Sequence, residues 1–314
     1  MKRLISLGVS TLILIVIYWK IDFSSLIKVF QNSNVWWLTI SLGMVVPLTL
    51  ITAWRLQQLM PSGAKLRFGE ANRLILAASV LNMVLPSKMG DIAKAYFMKQ
   101  RGHLDGSLSL SLVVFEKACD MLSLLLWCVF GLMLYPSKNW LFWTMTTSVA
   151  IGLVIGILLL SSRKFTNLFF ILAKAISPKK IKFKLEKIQL GWQEMHTYFW
   201  QDKQQLFKIA TVSIILWFLH LLQIWFFILA LKAWTPLLAN LALAPLALLA
   251  GLLPLTFAGV GTRDAALIVF YQPYLNSSTA AALGLLCTSR YLLPAIGGMP
   301  FLGQYMTTVR KLQR

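Results

Sequence analysis

Twice along this chain an apolar run reaches a proline, passes through glycine, and restarts as a helix carrying an acid and a base. The first event runs through Leu85-Pro86, Gly90-Asp91 and Lys94, and the second through Leu253-Pro254, Gly259, Gly261, Arg263 and Asp264. Pro86 and Pro254 lie 168 residues apart. Proline removes a backbone donor and glycine frees the backbone, so both stretches interrupt a helix. The surroundings decide what such an interruption means. The chain is 58% hydrophobic and 13% charged, with mean hydropathy +0.72, where a soluble domain carries about 25% charged residues. An all-α polytopic membrane protein is therefore expected. A transmembrane β-barrel needs alternating segments of about 10 residues, and the apolar runs here are continuous.

The net charge is +20 over 314 residues. The basic residues fall in short segments between apolar runs, as in cytoplasmic loops on anionic lipid. No basic-aromatic module accompanies them, so nucleic acid is not an expected partner. Cys119, Cys128 and Cys287 sit inside apolar runs, and His103, His196 and His220 are scattered. Neither set has the spacing of a disulfide framework or a metal site, and no cofactor or metal is expected.

Six spans are expected, at roughly Leu4–Trp19, Val35–Trp54, Ser107–Tyr135, Leu141–Leu160, Leu206–Leu231 and Ser278–Val309. Lys2 and Arg3 hold the N-terminus in the cytoplasm, and Arg55, Lys65 and Arg67 mark the cytoplasmic end of the second span. Residues 70–101 flank their break with Arg67 and Arg73 before it and Lys99 and Arg101 after it. Neither half reaches the ~20 residues of a span. The charges favour a re-entrant hairpin over a single kinked span. Residues 237–275 make a second hairpin from the opposite side. Both termini are then cytoplasmic. Six spans and two re-entrant broken-helix hairpins form one domain over 1–314, arranged as an inverted repeat (about 35–135 and 206–309). Between the repeats, 163–205 is a basic cytoplasmic segment. There Leu185, Ile188, Trp192, Met195 and Phe199 recur on one helical face, the pattern of an amphipathic helix on the inner leaflet.

Ionisable groups inside spans cost at least ~2.5–3.5 kcal/mol each and persist near partners or water. The candidates for binding a lipid phosphate or other anion are Lys88, Lys94, Arg263 and Arg290. A polar cavity is expected from Asn82, Asp91, Glu116, Lys117, Asp120 and Asp264, with the helix breaks at Pro86, Gly90, Pro254, Gly259 and Gly261. Glu116 and Asp120 share a helix face at a spacing of four, and Asp91 and Lys94 can pair at a spacing of three. Thr262 is an expected N-cap with Asp264 in the first turn. The alternative is that these acids and bases neutralise one another and hold the bundle together.

These residues resemble the lysylphosphatidylglycerol synthase transmembrane region, a family of flippase-like integral membrane proteins. Its first signature is similar to Asn82, Leu85-Pro86, Gly90-Asp91, Lys94, Arg101-Gly102, Glu116-Lys117 and Asp120. The second is similar to Pro254 and Gly259-Val260-Gly261-Thr262-Arg263-Asp264. Asp91 and Asp264 stand where the family often has Glu, and Lys94 and Lys117 where it often has Arg. Lysine does not replace arginine at a bidentate phosphate contact. The resemblance implies translocation or handling of lipids with charged or glycosylated head groups in a bacterial-type inner membrane. Membrane lipids bearing phosphate are the expected partners. Longer members carry a soluble aminoacyltransferase domain after this region; the sequence stops at Arg314, so lipid aminoacylation is not expected. Two other functions are weighed beside this one. One is a scaffold or regulatory subunit of a lipid- or glycan-modifying enzyme. The other is an intramembrane enzyme resting on Glu116 and Asp120.

Overall fold

The computed structural model describes residues 23–61, 64, 66–84, 90–101, 104–135, 138–252 and 260–312. Among these residues there are thirteen α-helices and no strand. In chain order they are α1 (Phe23–Gln31), α2 (Val35–Gly43), α3 (Val45–Gln58), α4 (Phe68–Val84), α5 (Gly90–Gln100), α6 (Gly106–Leu134) and α7 (Trp140–Ser161). There follow α8 (Arg163–Ile176), α9 (Lys179–Gln201), α10 (Lys203–Ala230), α11 (Leu237–Gly251), α12 (Thr262–Tyr271) and α13 (Ser277–Leu312). Five stretches are long and apolar enough to cross a membrane: Val35–Gln58, α6, α7, α10 and Ser277–Tyr305. The expected first span, Leu4–Trp19, lies outside the described residues. The second span bends between α2 and α3, because Pro47 has no N–H and its ring crowds the Gly43 carbonyl one turn back.

Helices α4 and α5 fold back on each other. The Arg101 guanidinium at the end of α5 lies 3.6 Å from the Glu70 carboxylate at the start of α4. A single kinked span puts those residues at opposite ends, so the pair form a hairpin. At the turn Gly90 is required, since any Cβ there would strike the Ala78 carbonyl and the Asn82 amide of α4. The second hairpin closes in the same way. The Tyr271 hydroxyl at the end of α12 donates to Asn240 Oδ1 near the start of α11 at 2.7 Å.

The hairpins open at opposite ends of the bundle. Gln205 and Lys208 at the start of α10 donate to Gln58 at the end of α3. At the other end the Asn34 amide before α2 donates to the Ala230 carbonyl closing α10. The first hairpin follows α3 and the second follows α10, so they enter from opposite sides. Each then packs on the helix leaving the other. Helix α4 has its most extensive contact with α13, and α11 has its own with α6. Both crossings use a glycine against a backbone carbonyl, Gly298 on Leu76 and Gly131 on Ala242. Lipid tails are as apolar as leucine, so close backbone approach through small residues supplies much of the attraction.

The basic segment departs from expectation. It forms two helices, split at Ser177-Pro178. The α9 face expected to lie on the leaflet is turned into the protein, with Trp192, Met195 and Phe199 buried. The reason is a better partner than lipid. The Phe199 ring stacks on Phe115 of α6 at 4.6 Å between centroids, and the Ser107 hydroxyl donates to the Lys187 carbonyl. Helix α8 carries the exposed apolar side chains instead, Leu168, Phe169, Ile171, Leu172 and Ile176.

Adjacent glycines in α13 offer a clean test of the crossing. A Cβ at Gly298 meets the Leu76 backbone, whereas one at Gly297 meets nothing within 4 Å. Gly298→Ala is expected to lose about 1–3 kcal/mol through overpacking. Gly297→Ala is expected to be neutral or to gain up to about 1 kcal/mol of helix propensity. Thermal unfolding of both variants in detergent checks the contrast.

Candidate functional site

The site begins with Arg55. From the sequence this residue marks the cytoplasmic end of a span; in the structure it is 2% exposed and lies inside the bundle. Its Nη1 donates to Asp120 Oδ1 at 2.5 Å and to Ser213 Oγ at 2.8 Å. Its Nη2 donates to Glu116 Oε1 at 3.1 Å and to Asp120 Oδ2 at 3.2 Å. The planar guanidinium suits this fork, which a lysine ammonium could not fill. Glu116 and Asp120 share a face of α6, as their spacing predicts, and that face meets α3.

The lysines complete the network. Lys94 Nζ lies 2.5 Å from Glu116 Oε2, both side chains 1% exposed. Lys117, 45% exposed, is shared between Asp91 and Asp120 at 3.4 Å each. The Asp91–Lys94 pair expected within α5 is therefore not what forms. Both side chains reach across to α6, Lys94 to Glu116 and Asp91 to Lys117, where each charge meets one of opposite sign. These ion pairs tie α3, α5 and α6 together, and Ser213 adds α10.

Beside the network lies a cavity of about 480 Å³. Asn82, Asp91, Lys94, Glu116, Lys117, Asp120 and Arg290 all line it. Arg263 and Asp264 are not among its lining residues. Arg263 Nη2 donates to Asp264 Oδ1 at 2.7 Å, to the Gly284 carbonyl at 3.1 Å and to Thr288 Oγ1 at 2.6 Å. Asp264 Oδ2 in turn accepts the Gly261 amide at 2.9 Å. The N-cap is thus Gly261 rather than Thr262, at φ 101°, where a side chain is strained. Together these residues lock α12 against α13. Lys88, Pro86, Pro254 and Gly259 lie outside the described residues.

Arg290 is the base on the described wall that no carboxylate pairs with. It is 5% exposed, and its Nη2 donates to the Tyr291 hydroxyl at 2.9 Å. Its Nε and Nη1 have no partner among the described residues. The buried Arg55 Nε and Asn82 Oδ1 are unpartnered in the same sense. Sequence reasoning missed most of the opposite wall, which comes from α3 and α10. A signal for it exists in the spacing. Thr49, Thr52 and Arg55 recur every three residues, and Ser213, His220 and Gln223 fall on one face of α10. Thr49, Thr52, His220 and Gln223 all line the cavity. Among the described residues no group of three or more His, Cys, Asp or Glu has the arrangement to hold a metal ion.

The family model for the lysylphosphatidylglycerol synthase TM region matches residues 3–298. The chain belongs to this family. It is also similar to the UPF0104 membrane protein MJ1595 of Methanocaldococcus jannaschii, with 24% identity covering 95% of this chain and 93% of that protein. Family membership and the long apolar helices make it a multi-pass membrane protein.

The network makes Arg55 the costliest residue to remove. Arg55→Ala leaves two carboxylates short of a cation and is expected to destabilise by about 3–5 kcal/mol. Lys117→Ala removes a half-exposed contact and is expected to cost about 1 kcal/mol or less. Melting temperatures of the purified variants separate the two cases.

Proposed function

We propose that this protein is a flippase-like protein of the cytoplasmic membrane, both termini cytoplasmic, that translocates or handles lipids with charged or glycosylated head groups. The cavity walled by the first hairpin and by α3, α6, α10 and α13 is the head-group site in this reading. One observation carries it: Arg290 is buried at the cavity wall with two guanidinium nitrogens, Nε and Nη1, unpartnered among the described residues. A buried cation without a partner is expensive, and an anion in the cavity removes that cost.

The depth of the site supports the reading. Glu116 lies ten residues into α6 and Arg290 thirteen residues into α13. At 1.5 Å per residue these are about 15 and 20 Å from helix starts at opposite ends of the bundle. A hydrocarbon core is about 30 Å thick, so these depths correspond to a site near its middle. The opposed hairpins and their reciprocal glycine contacts are the arrangement expected of an inverted repeat. In such a plan one half moves against the other around a fixed site. Glu116, Asp120 and Asp91 are each occupied by cations, so they orient the bases and perform no catalytic step in this proposal.

Reconstituted protein is expected to speed the exchange of phosphate-bearing lipids between leaflets of proteoliposomes, measured by quenching of a labelled lipid. Rates equal to those of empty vesicles for anionic and polyprenyl-phosphate lipids alike would remove the proposal. Labelling adds a topological check. Arg101→Cys and Asn276→Cys are expected to react from opposite faces of the membrane.

A further inference from the structure

We infer that the cavity selects head groups by charge, taking a net anionic phosphodiester head and turning away a cationic one. This rests on the lipid-handling reading above and narrows it. Among the described residues the cavity wall carries four bases, Arg55, Lys94, Lys117 and Arg290, and three acids, Asp91, Glu116 and Asp120. Each acid is already held. Glu116 is shared by Arg55 and Lys94, Asp120 by Arg55 and Lys117, and Asp91 by Lys117.

A head group bearing an ammonium finds no open carboxylate among the described residues of this wall. To reach one it must displace Lys117, the base that is half exposed. That exchanges one cation for another in the same place, with no gain in pairing. Displacing Arg55 or Lys94 strips a deeply buried carboxylate of its donors, which costs more than a new pair returns. An anion meets the reverse situation. Arg290 offers two buried donor nitrogens, Nε and Nη1, and no carboxylate pairs with it among the described residues. Its guanidinium also lies 5.0 Å from the centroid of the Tyr291 ring, which holds the group in one orientation. Among the described residues the wall thus carries one positive charge in excess, which a singly charged phosphodiester neutralises. A zwitterionic head fills Arg290 with its phosphate but leaves its ammonium without a partner.

The test uses the whole purified protein and three defined lipids: phosphatidylglycerol (anionic), phosphatidylcholine (zwitterionic) and lysyl-phosphatidylglycerol (cationic). Retention of each is read by native mass spectrometry during delipidation. Phosphatidylglycerol is expected to be held at least about tenfold more tightly than the other two, the scale of a hydrogen bond to a charged group. Arg290→Gln is expected to erase that preference, and Arg290→Lys to keep much of it. Equal retention of all three lipids overturns the inference while leaving lipid handling in place. So does an unchanged preference in folded Arg290→Gln, which would assign it to the basic surface. If Arg290→Gln does not fold, the wild-type comparison and Arg290→Lys decide. Retention of none of the three overturns the inference, while the lipid-handling reading stands or falls by the exchange assay above.

Discussion

A guanidinium buried in an apolar bundle dictates much of what surrounds it. Arg55 cannot shed its charge, and in a low-dielectric interior an unpaired charge is far costlier than any packing contact can offset. It therefore needs carboxylates, and Glu116 and Asp120 arrive one turn apart on α6. They bring their own requirement, since two carboxylates beside one arginine still lack a cation. Lys94 and Lys117 supply it, from α5 and α6. The position of the first hairpin follows from this chain of demands.

Packing does the rest by a different route. Between membrane helices there is no strong hydrophobic drive, so contact depends on how closely backbones approach. Glycines at the two long crossings set α4 on α13 and α11 on α6. Charge organises the first hairpin, whereas an internal cap organises the second, with Asp264 holding both Gly261 and Arg263. The asymmetry matters for the cavity. Among the described residues its charged wall comes mainly from the first half of the chain, and the second half contributes Arg290, the base there that no carboxylate pairs with.

Much of this was legible in the sequence because it depends on local signals. Apolar runs of span length and basic flanks located several of the described helices, with α6, α7 and α10 starting or ending within a few positions of expectation. The i to i+4 spacing of Glu116 and Asp120 correctly put both on one face. What failed was partner choice. Asp91 and Lys94 are neighbours in sequence, but their real partners lie on α6, which no spacing rule within one helix reveals. Arg55 looked like a membrane-edge anchor because it stands three residues before the end of its helix. The apolar stripe of α9 was read correctly as a stripe, but Phe115 covers it rather than lipid. Arg263 looked like an anion ligand until Gly284 and Thr288 were seen to occupy it.

The exchanged packing of the two halves has a consequence for biogenesis. Chains enter a membrane from the N-terminus onward. The ion network needs only residues up to Asp120, apart from the hydroxyl of Ser213, so it can assemble while the rest is still on the ribosome. Helix α4, however, finds its largest partner in α13, the last helix of the chain. The first hairpin is thus electrostatically anchored early but stays sterically unclasped until translation is nearly finished, and a ribosome stalled before α13 leaves a half-built bundle with its glycine seam open to lipid.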